Sequence, residues 1–314
     1  MSKSKIMSKS KIVGKNKMDQ PTTNHKSPIT KYWKPLFAVF VWGLSFIATK
    51  NALNEVTPVV IVFVRQLLGI SFLMFIAVKQ KKSFAITWHD HKWVLLLGLI
   101  ACFHLWIQVT GLQWTTASHT GWIIGITPVF MTILAMIFFK EKIVRHQTFG
   151  IFLSFAGLLL LVCKGDFSSL DFIKNEGDLL IIGSSVTWAV YSMVSKRATL
   201  NYSPLMTTLY LFTVVAIVLA PVTINQHNIN ALEHLSFSGW MSILFLGIFC
   251  SGAAYTLWAQ SLAEMPASRV GAFLYIEPFV TFFGSWILLD EKITLITLLS
   301  GLVIIGGVVL VNRK

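Results

Sequence analysis

The chain has 314 residues, of which 55% are hydrophobic and only 12% are charged, and its mean hydropathy is +0.70. Because a soluble domain carries about 25% charged residues, this composition excludes an ordinary soluble protein and indicates an integral membrane protein. The formal net charge of +13 could suggest nucleic acid as a partner, but most of the basic residues lie in the polar segments between and around the apolar runs. We therefore expect a lipid bilayer around the chain and no nucleic acid.

The first 34 residues are polar and lysine-rich, and they begin with the hexapeptide MSKSKI twice in succession. We predict a disordered basic cytoplasmic tail over residues 1–34. A signal peptide needs an apolar stretch and a small-residue cleavage site, and neither precedes Trp33. The first spanning helix should therefore act as an uncleaved insertion signal, while the repeated hexapeptide leaves Met7 and Met18 open as alternative starts.

Apolar runs recur along the rest of the chain, each near the roughly 20 residues that a membrane-spanning helix needs. The ten predicted spans are 35–53, 58–78, 93–111, 119–139, 148–163, 178–195, 204–222, 238–260, 267–289 and 295–312. The connections between them are short. The predicted fold class is an all-α integral membrane protein with ten transmembrane helices.

The basic residues predict the orientation of these helices. With a cytoplasmic N-terminus, 21 of the 26 Lys and Arg residues fall in cytoplasmic segments. Lys164, Lys174 and Lys292 fall outside, and the remaining two cations, Lys50 and Arg65, lie within predicted spans. An excess of Lys and Arg in short loops marks the cytoplasmic side, so both termini should be cytoplasmic.

One half of the chain is a diverged copy of the other. Residues 117–143 and 267–293 align without a gap at an offset of 150 and share nine identities. The matched pairs include Gly121 and Gly271, Pro128 and Pro278, and Glu141 and Glu291. At an offset of 146, three further residues recur: Trp42, Lys50 and Pro58 match Trp188, Lys196 and Pro204. The repeating unit is therefore five helices.

We assign residues 35–163 to the first repeat, 164–177 to an external linker and 178–312 to the second repeat. Because five is an odd number, the second repeat must enter the membrane from the opposite side. This predicts two inverted five-helix repeats related by a pseudo-two-fold axis in the membrane plane. Such folds place a substrate site near the midplane between the repeats and work by alternating access.

Several residues also stand in the order found in a known family. They are Trp42-Gly43 with Lys50, Pro58 with Arg65, Pro128 with Glu141, and Glu277-Pro278 with Glu291. In these positions, and over about residues 31–313, the chain resembles the EamA-type transporters of the drug/metabolite transporter superfamily. The resemblance implies ten helices, a bacterial-type inner (plasma) membrane, and movement of small metabolites, frequently the export of amino acids.

Glu277 is the most informative single candidate. It is predicted at the middle of the ninth span, and no other carboxylate is predicted in the core of a span. A charge at that depth costs about 2.5–3.5 kcal/mol on insertion scales, so we expect it to contact substrate or to exchange a proton. The alternative is a structural glutamate bonded to backbone groups freed by Pro278. Thr127 is its counterpart, so proton coupling would use one repeat only.

Two cations complete a predicted charge network with Glu277. Arg65 lies seven residues past Pro58, and Lys50 lies fifteen residues past Pro35. At about 1.5 Å per residue, both cations should reach a similar depth in the membrane. There they could bind an anion, or form a charge network that substrate or a proton rearranges. The alternatives are that Lys50 extends to the outer interface and that Arg65 pairs permanently with Glu277.

Aromatic and polar residues predict the wall of a substrate cavity. Several of the eleven Trp residues fall at predicted membrane boundaries, where amphipathic rings prefer to lie. Others fall deeper, and the candidates for the wall are Trp42, His104, Gln108, Trp188, Tyr191, Tyr255 and Tyr275. An aromatic cavity with a few polar groups suits a small amphipathic solute, although packing or lipid-facing roles are the alternative for each residue.

Other matched residues are predicted to be structural. Glu141 and Glu291 lie at helix ends beside Lys142 and Lys292, where we expect them to fix the helix hairpins rather than to contact substrate. Small residues let membrane helices approach closely. The remaining residues with structural assignments are Gly121, Gly271, Pro128 and Pro278.

The sequence lacks the motifs of several other classes of protein. The three Cys and eight His residues show neither CxxC nor HExxH spacing, and the chain has no glycine-rich phosphate loop and no GxSxG motif. We therefore expect no metal, no cofactor, no ATP-driven pump and no enzyme. The predicted function is a secondary transporter that exports amino acids or related small metabolites by alternating access, with proton coupling left open. The alternatives are an importer or exchanger of an anionic or nucleoside-like metabolite, and a non-transporting membrane protein; the oligomeric state is open.

Overall fold

The computed structural model describes residues 29–85, 90–163, 173, 175–198, 203–289 and 295–313. Some sequence predictions lie outside these residues and stay predictions. They are the disorder of most of the N-terminal tail, the position of most of the linker over 164–177, and the roles of Glu291 and Lys292.

Every regular element in the described residues is a helix. The α-helices are α1 (Ile29–Ala52), α2 (Pro58–Lys79), α3 (His91–Gln113), α4 (Ala117–Ile124), α5 (Thr127–Phe139), α6 (Arg145–Cys163), α7 (Glu176–Ala198), α8 (Pro204–Thr223), α9 (Gln226–Glu233), α10 (Phe237–Phe245), α11 (Tyr255–Glu264), α12 (Ala267–Ala272), α13 (Ile276–Leu289) and α14 (Leu295–Asn312). A π-helical segment, Leu246–Ala254, joins α10 to α11, and a 3₁₀ turn, Phe273–Tyr275, joins α12 to α13.

Eight helical stretches in the described part of the chain are long and apolar enough to cross a membrane. They are Tyr32–Ala52, Pro58–Lys79, His91–Gln113, Ala117–Phe139, Glu176–Ala198, Pro204–Thr223, Phe237–Glu264 and Ala267–Ile287, which coincide with eight of the predicted spans. The predicted fifth and tenth spans correspond to α6, with 19 residues, and α14, with 18. The chain is therefore an all-helical, multi-pass membrane protein.

Two of the long stretches are interrupted near their middle. Pro128 is the second residue of α5, and Pro278 is the third residue of α13. Because proline lacks a backbone N–H and its ring clashes with the preceding turn, the helix restarts at each of these positions. Glu277 consequently lies in the first turn of α13, where the partial positive charge of a helix N-terminus favours a carboxylate.

The interrupted helices pack at glycines in matched positions. A Cβ atom added to Gly121 would lie 3.1 Å from the side chain of Thr281, and one added to Gly271 would lie 3.0 Å from Cβ of Met131. Thr281 and Met131 are separated by the same 150 positions as the two glycines. Each contact is therefore the counterpart of the other.

Helices α6 and α14 also pack through matched positions. The hydroxyl of Ser154 donates a hydrogen bond of 3.3 Å to the carbonyl of Ile304, its own counterpart at an offset of 150. A Cβ atom on Gly157 would lie 2.9 Å from the side chain of the same Ile304. Ser154 and Gly157 thus pack against the residue that matches Ser154 in the other half of the chain.

Two lysines mark opposite ends of the fold. Lys50, near the end of α1, donates a hydrogen bond to the carbonyl of Thr115, and Lys196, near the end of α7, donates one to the carbonyl of Met265; each measures 2.8 Å. Lys34, in the first turns of α1, forms an ion pair with Glu264, which is next to Met265 in the chain. Helix α1 therefore begins near Lys196 and ends at Lys50. We refer to the Lys50 end and the Lys196 end.

Candidate functional site

A small cavity of about 40 Å³ lies between the two halves of the chain. Its wall includes seven of the ten predicted substrate or coupling residues: Trp42, Arg65, His104 and Gln108 from the first half, and Trp188, Tyr255 and Glu277 from the second. Ligand pockets commonly measure about 300–1,000 Å³, so this central cavity has room for a few water molecules rather than for a metabolite. A metabolite can occupy it only if the surrounding helices separate.

Glu277 reaches the central cavity from the first turn of α13. Only 4% of the residue is exposed, and among the described residues its carboxylate accepts no hydrogen bond and forms no ion pair. In the part of the chain that the structure describes, no backbone N–H donates to this carboxylate, as it would to a purely structural glutamate beside Pro278. The carboxylate is thus a buried acceptor that faces the cavity.

Arg65 enters the same cavity from α2, and it is also 4% exposed. Its Nε donates a hydrogen bond of 2.9 Å to the hydroxyl of Ser251, which lies in the π-helical segment Leu246–Ala254. Such π segments inside α-helices often occur at functional sites. The bond holds one edge of the guanidinium, and no ion pair joins Arg65 to Glu277 within the described residues, so the permanent pair considered from the sequence is not formed.

Aromatic rings form one wall of the central cavity. The Trp42 ring meets the Trp188 ring edge to face, with centroids 4.9 Å apart, and the Tyr255 ring lies 5.6 Å from Trp42 and 5.3 Å from Trp188. The indole of Trp42 donates a hydrogen bond of 3.1 Å to the carbonyl of Cys250. Rings locked against one another in this way present a rigid, largely apolar surface with defined polar edges.

His104 adds a polar group beside these rings. Its ring centroid lies 5.0 Å from that of Trp188, and its Nδ1 lies 3.0 Å from the carbonyl oxygen of Ser184. Because a carbonyl oxygen only accepts, we assign the proton of the neutral ring to Nδ1. Nε2 of His104 is then an acceptor, and Gln108, one turn further along α3, lines the cavity with it.

Lys50 does not lie in the central cavity, contrary to the predicted charge network. Its ammonium donates to the carbonyls of Leu112, Gln113 and Thr115, at 2.9, 3.1 and 2.8 Å. The last carbonyls of a helix have no partner within the helix, so the end of α3 binds the Lys50 ammonium outside the central cavity. Lys50 instead borders a cleft of about 780 Å³ at its end of the fold.

Two predicted tyrosines lie behind the cavity wall rather than in it. The Tyr191 ring stacks on Trp188 with centroids 4.9 Å apart and is 1% exposed. Tyr275 is fully buried in the 3₁₀ turn that precedes α13. Both residues support the elements that carry Trp188 and Glu277.

Glu141 contacts the opposite half of the chain and not its neighbour Lys142. Its carboxylate accepts hydrogen bonds from the backbone N–H of Ala267, at 2.7 Å, and from the N–H and hydroxyl of Ser268, at 3.1 and 2.7 Å. It also forms an ion pair of 3.4 Å with Lys196. Burial by itself raises the pKa of Glu141, but the bonds from Ser268 and Ala267 and the Lys196 charge outweigh it, so the pKa lies below its ordinary value. Glu141 therefore joins the two halves rather than one hairpin.

The sequence prediction missed a second buried carboxylate, Asp178. This residue lies in the first turn of α7, is fully buried, and has Oδ2 3.2 Å from Nε2 of His119 on α4. The predicted span 178–195 begins at this residue, so Asp178 was not among the carboxylates sought in the core of a span. The signal available in the sequence was the Asn175 side chain, whose Oδ1 accepts from the Asp178 N–H at 3.1 Å in a helix-capping arrangement.

Comparisons with known proteins extend over nearly the whole chain. The model of the EamA-like transporter family matches residues 33–163 and again residues 175–313. An uncharacterized transporter of Archaeoglobus fulgidus is 30% identical over 282 residues, covering 88% of this chain and 95% of that protein. YyaM of Bacillus subtilis, also an uncharacterized transporter, is 28% identical over 226 residues, covering 70% and 74%. A crystal structure at 17% identity has the same fold, with a TM-score of 0.72 over 90% of this chain and 96% of the other. The chain belongs to the EamA-like transporter family.

Proposed function

We propose that the protein is a secondary transporter that exports zwitterionic, amphipathic metabolites of the amino-acid type across a bacterial-type inner membrane. The proposal rests on one observation: Arg65 and Glu277 both line the central cavity, and no ion pair joins them. A buried charge without a partner is costly, so each charge fits a ligand group of opposite sign. Arg65 would bind a carboxylate, often through two hydrogen bonds, and Glu277 would bind an ammonium group.

The aromatic wall fits the apolar part of the same solute. Trp42, Trp188 and Tyr255 already contact one another, so ordering them around a ligand costs little additional entropy. A cation over the face of a tryptophan or tyrosine ring is further stabilised by about 0.5–2 kcal/mol. A site with one positive group, one negative group and aromatic rings along one wall suits an amino acid better than a sugar or a simple ion.

The proposed mechanism is alternating access by two inverted five-helix repeats, with residues 35–163 and 178–312 as the repeat units and both termini cytoplasmic. Three observations support it: the family model matches twice, the contacts of Gly121 and Gly271 are counterparts, and Ser154 contacts its own counterpart. Inverted repeats give two conformations of similar energy, open to opposite sides. The central cavity is then the site that both conformations share.

Glu277 is also the proposed proton site. A side chain that binds a proton and a ligand ammonium group in turn needs to be free of a fixed partner, and the Glu277 carboxylate forms no ion pair among the described residues. An arriving ammonium group would favour the ionised form, so substrate and proton would compete for one side chain. Because Thr127 is the counterpart of Glu277, one such site exists in the proposed transporter.

A second candidate function is exchange of an anionic metabolite, and the single hydrogen bond of Arg65 to Ser251 favours it. In that case Arg65 would do most of the binding and Glu277 would have no ligand contact. The two candidates differ in their response to Glu277→Gln. Gradient-driven transport of a zwitterion should be lost and its exchange weakened, whereas exchange of an anion should persist in full or strengthen.

The test is an untargeted comparison of metabolites inside cells and in the medium, with the protein overproduced or deleted. We expect one or a few amino acids or close relatives to move outward with wild-type protein and to stop with Trp188→Ala. The matched control is Trp106→Ala, because Trp106 is on α3 but 44% exposed, and it should transport normally. An unchanged metabolite profile with correctly inserted protein would contradict the proposal.

A further inference from the structure

Helix α5 begins at the central cavity, and its first residue is Thr127. Both Thr127 and Ile124, the last residue of α4, line the cavity wall, so the break between these two helices borders the cavity. Helix α5 has 13 residues, and the N-terminus of an α-helix is equivalent to roughly half a positive charge. The start of α5 therefore places partial positive charge at the wall of the cavity.

The matching helix start has a carboxylate of its own. Glu277 is the counterpart of Thr127 at an offset of 150, and it lies in the first turn of α13, where its carboxylate complements the positive end of the helix. The first turn of α5 contains no acidic residue, and the matched position holds a neutral threonine. Of the two helix starts at the cavity, only that of α13 thus carries an anionic side chain in its first turn.

The hydroxyl of Thr127 has no partner in the part of the chain that the structure describes. Thr127 is fully buried, its Oγ1 forms no hydrogen bond there, and the preceding Ile126 supplies no side-chain cap to the helix. By contrast, Thr132 of the same helix donates its hydroxyl to the carbonyl of Pro128 at 2.8 Å. Because a buried hydroxyl without a partner is costly, Thr127 Oγ1 is suited to bind a ligand in the cavity.

Other free donors line the same cavity. Among the described residues, the indole N–H of Trp188 has no hydrogen-bond partner, and an indole nitrogen can only donate. The guanidinium of Arg65 also only donates, and the hydrogen bond to Ser251 uses its Nε alone. A ligand group that is negatively charged and accepts several hydrogen bonds fits these donors and the start of α5. A carboxylate is such a group.

We propose that the start of α5, through the Thr127 hydroxyl and the helix N-terminus, binds the carboxylate of the transported solute jointly with Arg65, and that this subsite makes a carboxylate a requirement for binding. Glu277, at the start of α13, then binds the ammonium group. The two matched helix starts thus recognise the two charges of one zwitterion. The inference rests on the proposed function and adds to it a second binding element for the acidic group.

The experiment compares three kinds of ligand on the purified full chain in detergent. They are the proteinogenic amino acids, the corresponding amino-acid amides, which lack the carboxylate, and the corresponding deaminated carboxylic acids, which lack the ammonium group. Dissociation constants follow from the concentration dependence of the melting temperature. Thr127→Val keeps the shape of the side chain and removes its hydroxyl. We expect it to weaken the binding of amino acids and deaminated acids at least about tenfold, and to leave the binding of amides unchanged.

Two variants serve as controls. Thr127→Ser retains a hydroxyl and should bind nearly as tightly as wild type. Thr132→Val is the matched control, because Thr132 lies in the same helix, is also buried and uses its hydroxyl within that helix, and it should bind like wild type. Unchanged binding of amino acids and deaminated acids by Thr127→Val, or an equal loss with Thr132→Val, would overturn the subsite.

The three kinds of ligand also separate this inference from the proposed function. If the deaminated acids bind and depend on Thr127 while the amino acids bind no better, the subsite stands and the zwitterionic substrate class fails. If amino acids bind equally well to wild type and Thr127→Val, the proposed function stands and the subsite fails. Binding of amides as tight as that of amino acids, or no binding of any carboxylate, would also overturn the subsite.

Discussion

Arg65 and Glu277 reach one cavity from opposite halves of the chain, each 4% exposed, and no ion pair joins them. Arg65 is held by Ser251 through Nε, and Glu277 is held by the restart of its helix at Pro278. Each charge is therefore positioned by its own element and not by the other. This separation makes the pair suitable for a ligand that carries both signs of charge.

The separation predicts the behaviour of a double variant. If Arg65 and Glu277 formed a permanent buried pair, removing one partner would cost more stability than removing both. Without a pair, the changes in unfolding free energy for Arg65→Gln and Glu277→Gln should add in the double variant, within about 0.5 kcal/mol. Thermal unfolding of the four proteins in one detergent measures this. A coupling above about 1 kcal/mol would mean that the charges stabilise each other.

The glycine contacts predict a selective effect on folding. Gly121→Leu would force a side chain against Thr281, and Gly271→Leu would force one against Met131. Even a Cβ atom at these glycines would lie only 3.1 Å from Thr281 and 3.0 Å from Met131. Overpacking of this kind costs about 1–3 kcal/mol, so the melting temperature should fall by several degrees. Gly306→Leu is the matched control, because a Cβ atom there meets nothing within 4 Å. Equal melting temperatures for all three variants would show that the crossing is not tightly packed.

The contacts of Glu141 predict a pH dependence of stability. The pKa of this carboxyl is lowered in the folded protein, because the bonds from Ser268 and Ala267 and the Lys196 charge outweigh its burial. A lowered pKa contributes stability that is complete above the unfolded value, about 4.3, and that is lost as pH falls through the folded value. Below about pH 4.3, the melting temperature of wild type should therefore fall towards that of Glu141→Gln. A difference that stays constant down to pH 3 would contradict this.

The proposed orientation is tested by reporter fusions. Fusions after Lys82, Lys142, Lys196, Glu264 and Arg313 should report the cytoplasm, and fusions after Glu55, Thr116, Asp171, Asn228 and Lys292 should report the outside. The reason is the concentration of Lys and Arg in the first set of segments. Two or more reversals would be incompatible with inverted five-helix repeats.

The sequence predicted the helices well because their signal is local. Runs of apolar residues near the length of a spanning helix need no knowledge of neighbours, and the offset of 150 between Gly121 and Gly271 was visible by alignment alone. The convergence of Arg65, Glu277 and Trp188 on one cavity also followed from the expected meeting of two repeats near the midplane.

The failures concern partners across the fold. Counting residues along α1 predicts how deep Lys50 lies in the membrane. It does not show that the end of α3 lies nearby, where backbone carbonyls accept hydrogen bonds from the Lys50 ammonium. Glu141 was predicted to fix its own helix hairpin, whereas in the fold its carboxylate contacts Lys196 and the start of α12 in the other half of the chain. The contact between His119 and Asp178 likewise depends on the packing of α4 against α7. Such partners are set by three-dimensional packing, which a single sequence does not report.

The most direct test measures flux through purified protein in proteoliposomes with an isotope-labelled mixture of proteinogenic amino acids. With an imposed pH gradient, wild type should accumulate one or a few of them against their gradients, and without the gradient it should exchange internal for external label. Glu277→Gln should lose gradient-driven accumulation while retaining part of the exchange, because only the titratable charge is removed. Wild-type, pH-dependent accumulation by Glu277→Gln would contradict the central claim.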